Sequence, residues 1–146
     1  MPQVAKSVLV PYSAAAMFKL VDDVERYPEF LPWCGGARAL ERTDTLTIAV
    51  IDIHYAGVRQ TFSTANTKEG VEWMRLQLRE GPFKELGGHW HFQALGEGAS
   101  KVELMLDYAF SNALLEKAVG PVFGMIADTM IERFVTRADT VYGAGR

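Results

Sequence analysis

His89 and His91 have a type and spacing that suggest metal chemistry, because they alternate with apolar side chains in a strand-like stretch. Alternate side chains of a strand project to one face, so two histidines spaced in this way can share a metal ion. A third ligand would have to come from a neighbouring strand, and His54 and Asp52 are the available groups. Nothing in the sequence fixes that pairing, so we predict two solvent-facing histidines and no metal site.

Cys34 is the single cysteine of the chain and could act as a nucleophile if a histidine activated it. No nucleophile-elbow motif, phosphate-binding glycine loop or paired-carboxylate arrangement supports such chemistry. We therefore predict that Cys34 is a buried, inert side chain and that the protein has no catalytic residues. A cyclisation activity would need an acid or base inside a cavity, for which Tyr27 and His54 are the best available groups.

A cluster of apolar side chains occupies residues 23–34, a segment that two prolines make too irregular for a long helix or strand. Loops normally expose polar residues, so large apolar side chains here suggest a lid that covers an apolar cavity or touches a membrane surface. The alternative is that the rings close one end of a sheet as ordinary core. The side chains concerned are Tyr27, Phe30, Leu31 and Trp33.

Length and composition bound the class of protein. The 146 residues match one domain, and we predict a single domain over residues 1–146. A net charge of −3 gives no basic surface for wrapping nucleic acid, so we predict no DNA partner.

No run approaches the roughly 18–20 apolar residues of a membrane span. One cysteine and a first segment without an apolar signal stretch favour the cytoplasm.

The periodicity of apolar residues predicts the elements that would position these side chains. Alternation from Val4 onward predicts a first strand that ends at Pro11. Ser13 is placed to cap a short helix over residues 14–21, and a helical turn and loop follow it. Between residues 37 and 110 the period changes to two, which predicts a series of antiparallel strands.

Short turn signals divide this region into strands. Ala56-Gly57 predicts a hairpin between strands over residues 46–55 and 58–66, and the alternation over residues 100–110 is the most regular. The glycine-rich stretch over residues 81–88 predicts a bulged or tight connection between two strands.

A long helix is predicted after Ser111-Asn112, which can cap it. Gly120-Pro121 should kink this helix or divide off its first turns. The predicted class is therefore α+β, with an antiparallel sheet packed on a long C-terminal helix. The helix would lay one apolar stripe on the sheet, formed by Leu115, Val119, Val122, Ile126, Met130, Phe134, Ala138 and Val141.

The chain resembles the coenzyme Q-binding and ribosome association toxin family within the START-like, polyketide cyclase-like superfamily. The resemblance runs in order over essentially the whole chain. It is carried by Val10-Pro11-Tyr12-Ser13, Asp23-Val24, Tyr27-Pro28-x-Phe30-Leu31-Pro32-x-Cys34, Phe62-Ser63-Thr64, Gly81-Pro82-Phe83-Lys84 with Leu86, Gly88-x-Trp90-x-Phe92 and Tyr108-x-Phe110.

The resemblance implies a helix-grip fold, in which a curved antiparallel sheet wraps around the C-terminal helix and two short helices lie near the N-terminus. It also implies a hydrophobic tunnel that binds ubiquinone or another polyprenyl lipid for respiration or quinone biosynthesis, with no required cofactor. Some members are named instead as toxins that bind the large ribosomal subunit and block subunit joining. The superfamily also contains polyketide cyclases and aromatases, so three functions remain open.

The predicted ligand site combines large apolar residues from the segment before Cys34, the sheet and the terminal helix. Burial of a long apolar tail at roughly 25 cal/mol per Å² would give affinity without a catalytic group. For Phe83, the resemblance is what suggests a place near the ligand opening. The predicted ligand contacts are Phe18, Tyr27, Phe30, Leu31, Trp33, Phe62, Leu76, Phe83, Trp90, Phe92, Leu104, Leu106, Phe123, Ile126, Met130 and Phe134.

Overall fold

The computed structural model describes residues 3–143 and consists of seven strands, two α-helices and one 3₁₀ helix. The N-terminal residues 1–2 and the C-terminal residues 144–146 of the predicted domain lie outside the described part. The elements, in chain order, are β1 Gln3–Val10, α1 Ala14–Asp22, the 3₁₀ helix Val24–Glu29, β2 Cys34–Arg42, β3 Leu46–Tyr55, β4 Val58–Glu69, β5 Trp73–Glu80, β6 Phe83–Ala94, β7 Ser100–Phe110 and α2 Ala113–Tyr142.

The strands form one antiparallel sheet in the order β1-β7-β6-β5-β4-β3-β2. Strands β2 to β7 are therefore neighbours in sequence as well as in space, and β1 pairs with the last strand. The predicted hairpin is confirmed, since β3 and β4 pair from Leu46↔Thr67 to Tyr55↔Val58. This arrangement confirms the predicted α+β class, with the sheet on one side and the helices on the other.

The capping residues define the helix starts. Ser13 Oγ accepts a hydrogen bond from the Ala16 amide at 3.1 Å, and Asn112 Oδ1 accepts one from the Leu115 amide at 2.9 Å. Each satisfies an amide that the first turn of a helix leaves without a backbone partner. Both caps agree with the sequence-based prediction.

The terminal helix α2 runs as one element through Pro121, so its first turns are not divided off. It packs against α1, β1, β4 and β7. The predicted apolar stripe is partly wrong: Val141 is 45% exposed, whereas Phe123 and Ile131 are buried. The helix therefore presents a face rotated slightly from the predicted one. No helix within residues 3–143 is both long and apolar enough to span a membrane.

The predicted tight connection is confirmed for Gly81 and Pro82, which join β5 to β6, but the rest of the glycine-rich stretch belongs to β6. Gly87 and Gly88 lie inside β6, where Gly88 pairs with Leu76 on one side and Leu106 on the other. Gly88 has φ of +150°, and a Cβ atom there would lie 1.9 Å from the carbonyl oxygen of Met105. Close strand approach therefore requires glycine at this position. A bulge does occur, at Phe83/Glu85 where β6 begins.

Candidate functional site

A cavity of about 80 Å³ lies between the sheet and α2. Its wall is almost entirely apolar. The polar groups among the lining residues are the side chains of Thr64 and Asn66, the hydroxyl of Tyr27 and the indole N–H of Trp33. The lining residues are Val21, Val24, Tyr27, Trp33, Ala49, Ile51, Phe62, Thr64, Asn66, Met74, Leu76, Leu86, Trp90, Leu104, Leu106, Phe123, Ile126 and Met130.

Ten of the sixteen predicted ligand contacts line this cavity. They come from the segment between α1 and β2, from β4 to β7 and from α2, so the fold brings together residues that are far apart in sequence. The ten are Tyr27, Trp33, Phe62, Leu76, Trp90, Leu104, Leu106, Phe123, Ile126 and Met130.

The other six predicted contacts lie behind the cavity wall. Most belong to a second layer of rings: Phe92 and Phe134 pack on Trp90, with ring centroids 5.9 and 5.3 Å away. Phe83 packs on Phe123 at 4.9 Å. In this conformation these residues support the wall without lining the cavity. The six are Phe18, Phe30, Leu31, Phe83, Phe92 and Phe134.

Eight lining residues were missed by sequence reasoning. The inward phase of β4 is set by Phe62, and the two-residue period places Thr64 and Asn66 on the same face. This two-residue period could have located Thr64 and Asn66, but the predicted site was confined to apolar residues and both of these are polar. The eight are Val21, Val24, Ala49, Ile51, Thr64, Asn66, Met74 and Leu86.

The segment before β2 is packed and anchored, which favours the second of the two interpretations of its apolar side chains. Tyr27, Leu31 and Trp33 are buried, and only Phe30 remains half-buried. The alternative reading, in which these rings close one end of the sheet, is the one that the structure supports. We call residues 23–33 the capping segment.

One end of the capping segment is fixed by a partly buried ionic cluster around Asp22. Thr47 Oγ1 donates to Asp22 Oδ1 at 2.7 Å, and Lys68 Nζ lies 3.1 Å from Asp22 Oδ2. Arg42 donates to the Asp22 carbonyl oxygen and forms two hydrogen bonds with the Glu25 carboxylate, at 2.7 and 2.8 Å. The Arg42 guanidinium lowers the pKa of Glu25 and holds its carboxyl ionised. This cluster ties α1 and the 3₁₀ helix to β2, β3 and β4.

Arg137 of α2 holds the other end. Its Nη2 atom lies 2.7 Å from Glu29 Oε1, and its guanidinium carbon lies 5.1 Å from the centroid of the Phe30 ring. Phe30 in turn packs on Phe134. The capping segment is thus attached both to the sheet and to the helix that the sheet grips.

Tyr27 is poorly suited to acid or base chemistry in the cavity. Its hydroxyl donates a hydrogen bond to the carbonyl oxygen of Val21. Burial, followed by the nearby charge of Asp22, raises its pKa far above the ordinary value. The phenol is therefore protonated at neutral pH. His54, the other group considered for cyclisation, is exposed and lies outside the cavity.

Cys34 is buried, and its Sγ donates to the carbonyl oxygen of Gly36 at 3.3 Å. Burial raises the pKa of the thiol to about 11. The thiolate that a nucleophile requires is consequently scarce at neutral pH. These observations agree with the prediction of a buried, unreactive side chain.

His89 and His91 contact a tryptophan. Trp73 stacks on His91 with centroids 3.9 Å apart, and His91 Nδ1 lies 3.4 Å from Glu103 Oε2. His54, considered as a third ligand, lies on β3, which β4 and β5 separate from β6. Within residues 3–143, no group of three His, Cys, Asp or Glu side chains is arranged to hold a metal ion.

Comparison with known proteins identifies the family. Residues 10–135 match the family described as polyketide cyclase/dehydrase and lipid transport, which is most of the chain. The chain belongs to this family. The match confirms the START-like, polyketide cyclase-like resemblance, and it spans the sheet and most of α2, which together enclose the cavity.

Two curated relatives and one solved structure are similar to the chain over most of its length. Ribosome association toxin RatA of Escherichia coli K12 is 44% identical over 144 residues, covering 99% of this chain and 91% of the relative. Mitochondrial coenzyme Q-binding protein coq10 of Schizosaccharomyces pombe is 27% identical over 140 residues, covering 90% and 84%. The Zhui aromatase/cyclase structure from Streptomyces sp. R1128 superimposes with a TM-score of 0.79 at 18% identity, covering 99% and 98%. This likeness confirms the helix-grip fold.

Proposed function

We propose that the protein binds an apolar small molecule, ubiquinone or another polyprenyl lipid, in the cavity between the sheet and α2, and that it does so without catalysis. The observation that carries the proposal is the wall itself, in which apolar side chains from eight elements surround unfilled space. Each methylene group buried there would contribute about 0.8 kcal/mol. A relative named for binding coenzyme Q supports the choice of a quinone.

Ligand entry requires the cavity to widen, because about 80 Å³ is well below the roughly 300–1,000 Å³ of typical ligand pockets. Three lining residues are only half-buried, namely Phe62, Leu76 and Met130. They mark the part of the wall nearest to solvent, between β4, β5 and α2. Their side chains have the rotational freedom to move aside, and the flexible thioether of Met130 is especially adaptable. We infer that the ligand enters there.

The absence of catalysis is proposed from the ionisable groups available. Among the described lining residues, Tyr27 is the one with an ionisable side chain, and its raised pKa keeps it protonated at neutral pH. A cavity with this lining offers shape and an apolar environment, and no general base.

Filling the cavity should abolish ligand uptake while preserving the fold. Ala49 lines the cavity from β3 and is 1% exposed, so Ala49→Leu places extra methyl groups in the unfilled space. We expect the affinity for decyl-substituted benzoquinone to fall at least about tenfold, while the free energy of unfolding stays constant or rises by about 0.5–2 kcal/mol. Isothermal titration calorimetry and urea unfolding measure the two effects.

Ala65→Leu is the matched control. Ala65 is half-buried on β4, where it pairs with Ile48 and lies on the opposite face of the strand from Thr64 and Asn66. This variant should bind the quinone as tightly as the wild type. Unchanged affinity in well-folded Ala49→Leu would contradict binding in this cavity.

Association with the ribosome, through the large subunit, is a second candidate function. It is favoured by relatives named ribosome association toxin at 44% identity over nearly the whole chain. Such binding would depend on exposed cations that contact ribosomal phosphates. Lys84 and Arg133 are exposed, whereas Arg137 is occupied by its ion pair with Glu29.

Graded removal of charge tests this second function. We expect Lys84→Gln and Arg133→Gln to weaken co-sedimentation with large ribosomal subunits, and Lys84→Glu and Arg133→Glu to weaken it further. Rising salt should weaken binding of the wild type in the same assay. No sedimentation of the wild type with subunits at low salt would reject this candidate and leave the lipid-binding proposal intact.

A further inference from the structure

The inner face of β4 places polar side chains inside the apolar cavity. Phe62, Thr64 and Asn66 lie on that face and line the cavity, and Thr64 and Asn66 are 7% and 5% exposed. Burial of polar groups among apolar side chains is unfavourable unless hydrogen bonds compensate for lost water. Burial of Thr64 and Asn66 therefore lowers the stability of the fold unless their polar groups form hydrogen bonds.

Their mutual hydrogen bond leaves part of the asparagine amide unused. Thr64 Oγ1 donates to Asn66 Oδ1 at 2.7 Å, which occupies the oxygen of the amide. Within the described residues, that is the sole hydrogen bond of the Asn66 side chain, so the two N–H donors of its Nδ2 atom have no acceptor. A carboxamide held by its oxygen presents its nitrogen as a donor.

A second donor without an acceptor belongs to the same wall. Trp33 lines the cavity and is 1% exposed, and its Nε1–H has no hydrogen-bond partner among the described residues. Buried indole N–H groups usually have a partner. Two residues that line the cavity, Asn66 on β4 and Trp33 in the turn before β2, thus each carry a donor that has no acceptor among the described residues.

The nearby ionic cluster does not supply an acceptor. Asn66 pairs in register with Thr47, whose hydroxyl donates to Asp22. The other carboxylate oxygen of Asp22 is engaged by Lys68 Nζ. Lys68 is paired with Asp22, and no lysine or arginine among the described residues lines the cavity, so the wall offers no cation to an anionic ligand.

We propose that Asn66 Nδ2, with Trp33 Nε1 as a second donor, forms a subsite for a neutral hydrogen-bond acceptor, a carbonyl oxygen, on an otherwise apolar ligand. The inference rests on the proposed function, and it narrows the ligand to a class. Quinones and other ketone-bearing lipids belong to that class, whereas plain hydrocarbons and free fatty acid anions do not. The Asn66 amide orients the carbonyl end of the ligand, and the surrounding apolar wall contacts the hydrocarbon part.

Two probes that share a tail and differ in carbonyl groups test the subsite. Binding of decyl-1,4-benzoquinone and of decylbenzene is measured by displacement of the neutral fluorescent probe N-phenyl-1-naphthylamine, and only the quinone can accept hydrogen bonds through carbonyl groups. We expect the wild type to bind the quinone at least about tenfold more tightly than the hydrocarbon. Asn66→Leu and Asn66→Met should each reduce this ratio about fivefold or more, with the affinity for decylbenzene changed less than about twofold.

The outcomes separate the two proposals. If the wild type and both folded Asn66 variants bind both probes with the same ratio, the subsite is wrong and the cavity proposal stands. If the wild type binds neither probe, both proposals are wrong. Trp33→Phe provides an independent variant, since it retains an aromatic ring and removes the Nε1 donor; a reduced ratio there supports the second donor, and an unchanged ratio removes Trp33 from the subsite.

Discussion

Truncation of Phe134 to alanine is expected to lower the free energy of unfolding by about 3–5 kcal/mol, as measured by urea denaturation. Phe134 is 1% exposed, and its ring packs edge-on against Tyr27, Phe30 and Trp90 with centroids 5.1–5.4 Å away. It therefore joins α2 to the capping segment and to β6 at one point. Removal of the ring leaves a cavity that three rigid neighbours cannot close.

Val141→Ala is the control on the same helix, because Val141 is largely exposed and should cost less than about 0.5 kcal/mol. Phe134→Leu retains apolar volume and should fall between the two variants. A decrease of less than about 1 kcal/mol in the free energy of unfolding of Phe134→Ala would mean that the capping segment does not depend on its contact with the Phe134 ring.

Substitution of Asp22 by alanine is expected to destabilise the protein by about 3–5 kcal/mol. The side chain of Lys68 is only 4% exposed, and Asp22 is its partner at 3.1 Å. Loss of the carboxylate leaves the buried ammonium group without its ion-pair partner among the described residues, and it also releases Thr47. The loss of stability arises chiefly from the uncompensated charge of the Lys68 ammonium group and only partly from its lost attraction to Asp22.

The double variant Asp22→Ala/Lys68→Met distinguishes this mechanism from a general loss of packing. Because methionine removes the stranded charge and keeps apolar length, the double variant should recover part of the stability lost in Asp22→Ala, as measured by urea unfolding. Asp128→Ala breaks an exposed pair with Lys6 at 3.0 Å and should cost no more than about 1 kcal/mol. Equal stability of the single and double variants would contradict the stranded-charge explanation.

The fold could be predicted from sequence wherever local signals and tertiary packing agree. The two-residue alternation located β3 and β7, because each of these strands buries one face. Ser13 and Asn112 located the helix starts, because capping is a local interaction.

The errors lie where tertiary packing decided the outcome. On α2, the 3.6-residue period placed Val122 in the predicted stripe, whereas packing on the aromatic layer buries Phe123. Gly88 resembled a turn residue, yet it is required by the close approach of β7. Sequence pattern alone does not reveal contacts of this kind.

Most aromatic residues and several branched aliphatic residues of the site were predicted from the sequence, whereas its polar residues were missed. A search for apolar residues found Phe62 on β4 but passed over Thr64 and Asn66 on the same face. For the capping segment the sequence left two interpretations open, a lid and a closure of one end of the sheet. The contacts of Arg42 and Arg137 fix the segment to the sheet and helix. Both attachments join residues distant in sequence, so local pattern could not predict them.

Organic extraction of the purified native protein, followed by mass spectrometry, tests the central claim most directly. Protein prepared from cells that make polyprenyl quinones should release a quinone or related apolar carbonyl lipid in an amount comparable to the protein. Ala65→Leu should release as much, and Ala49→Leu far less. Wild-type protein that is repeatedly empty, and that takes up no quinone from lipid vesicles, would contradict the claim that this cavity holds a lipid.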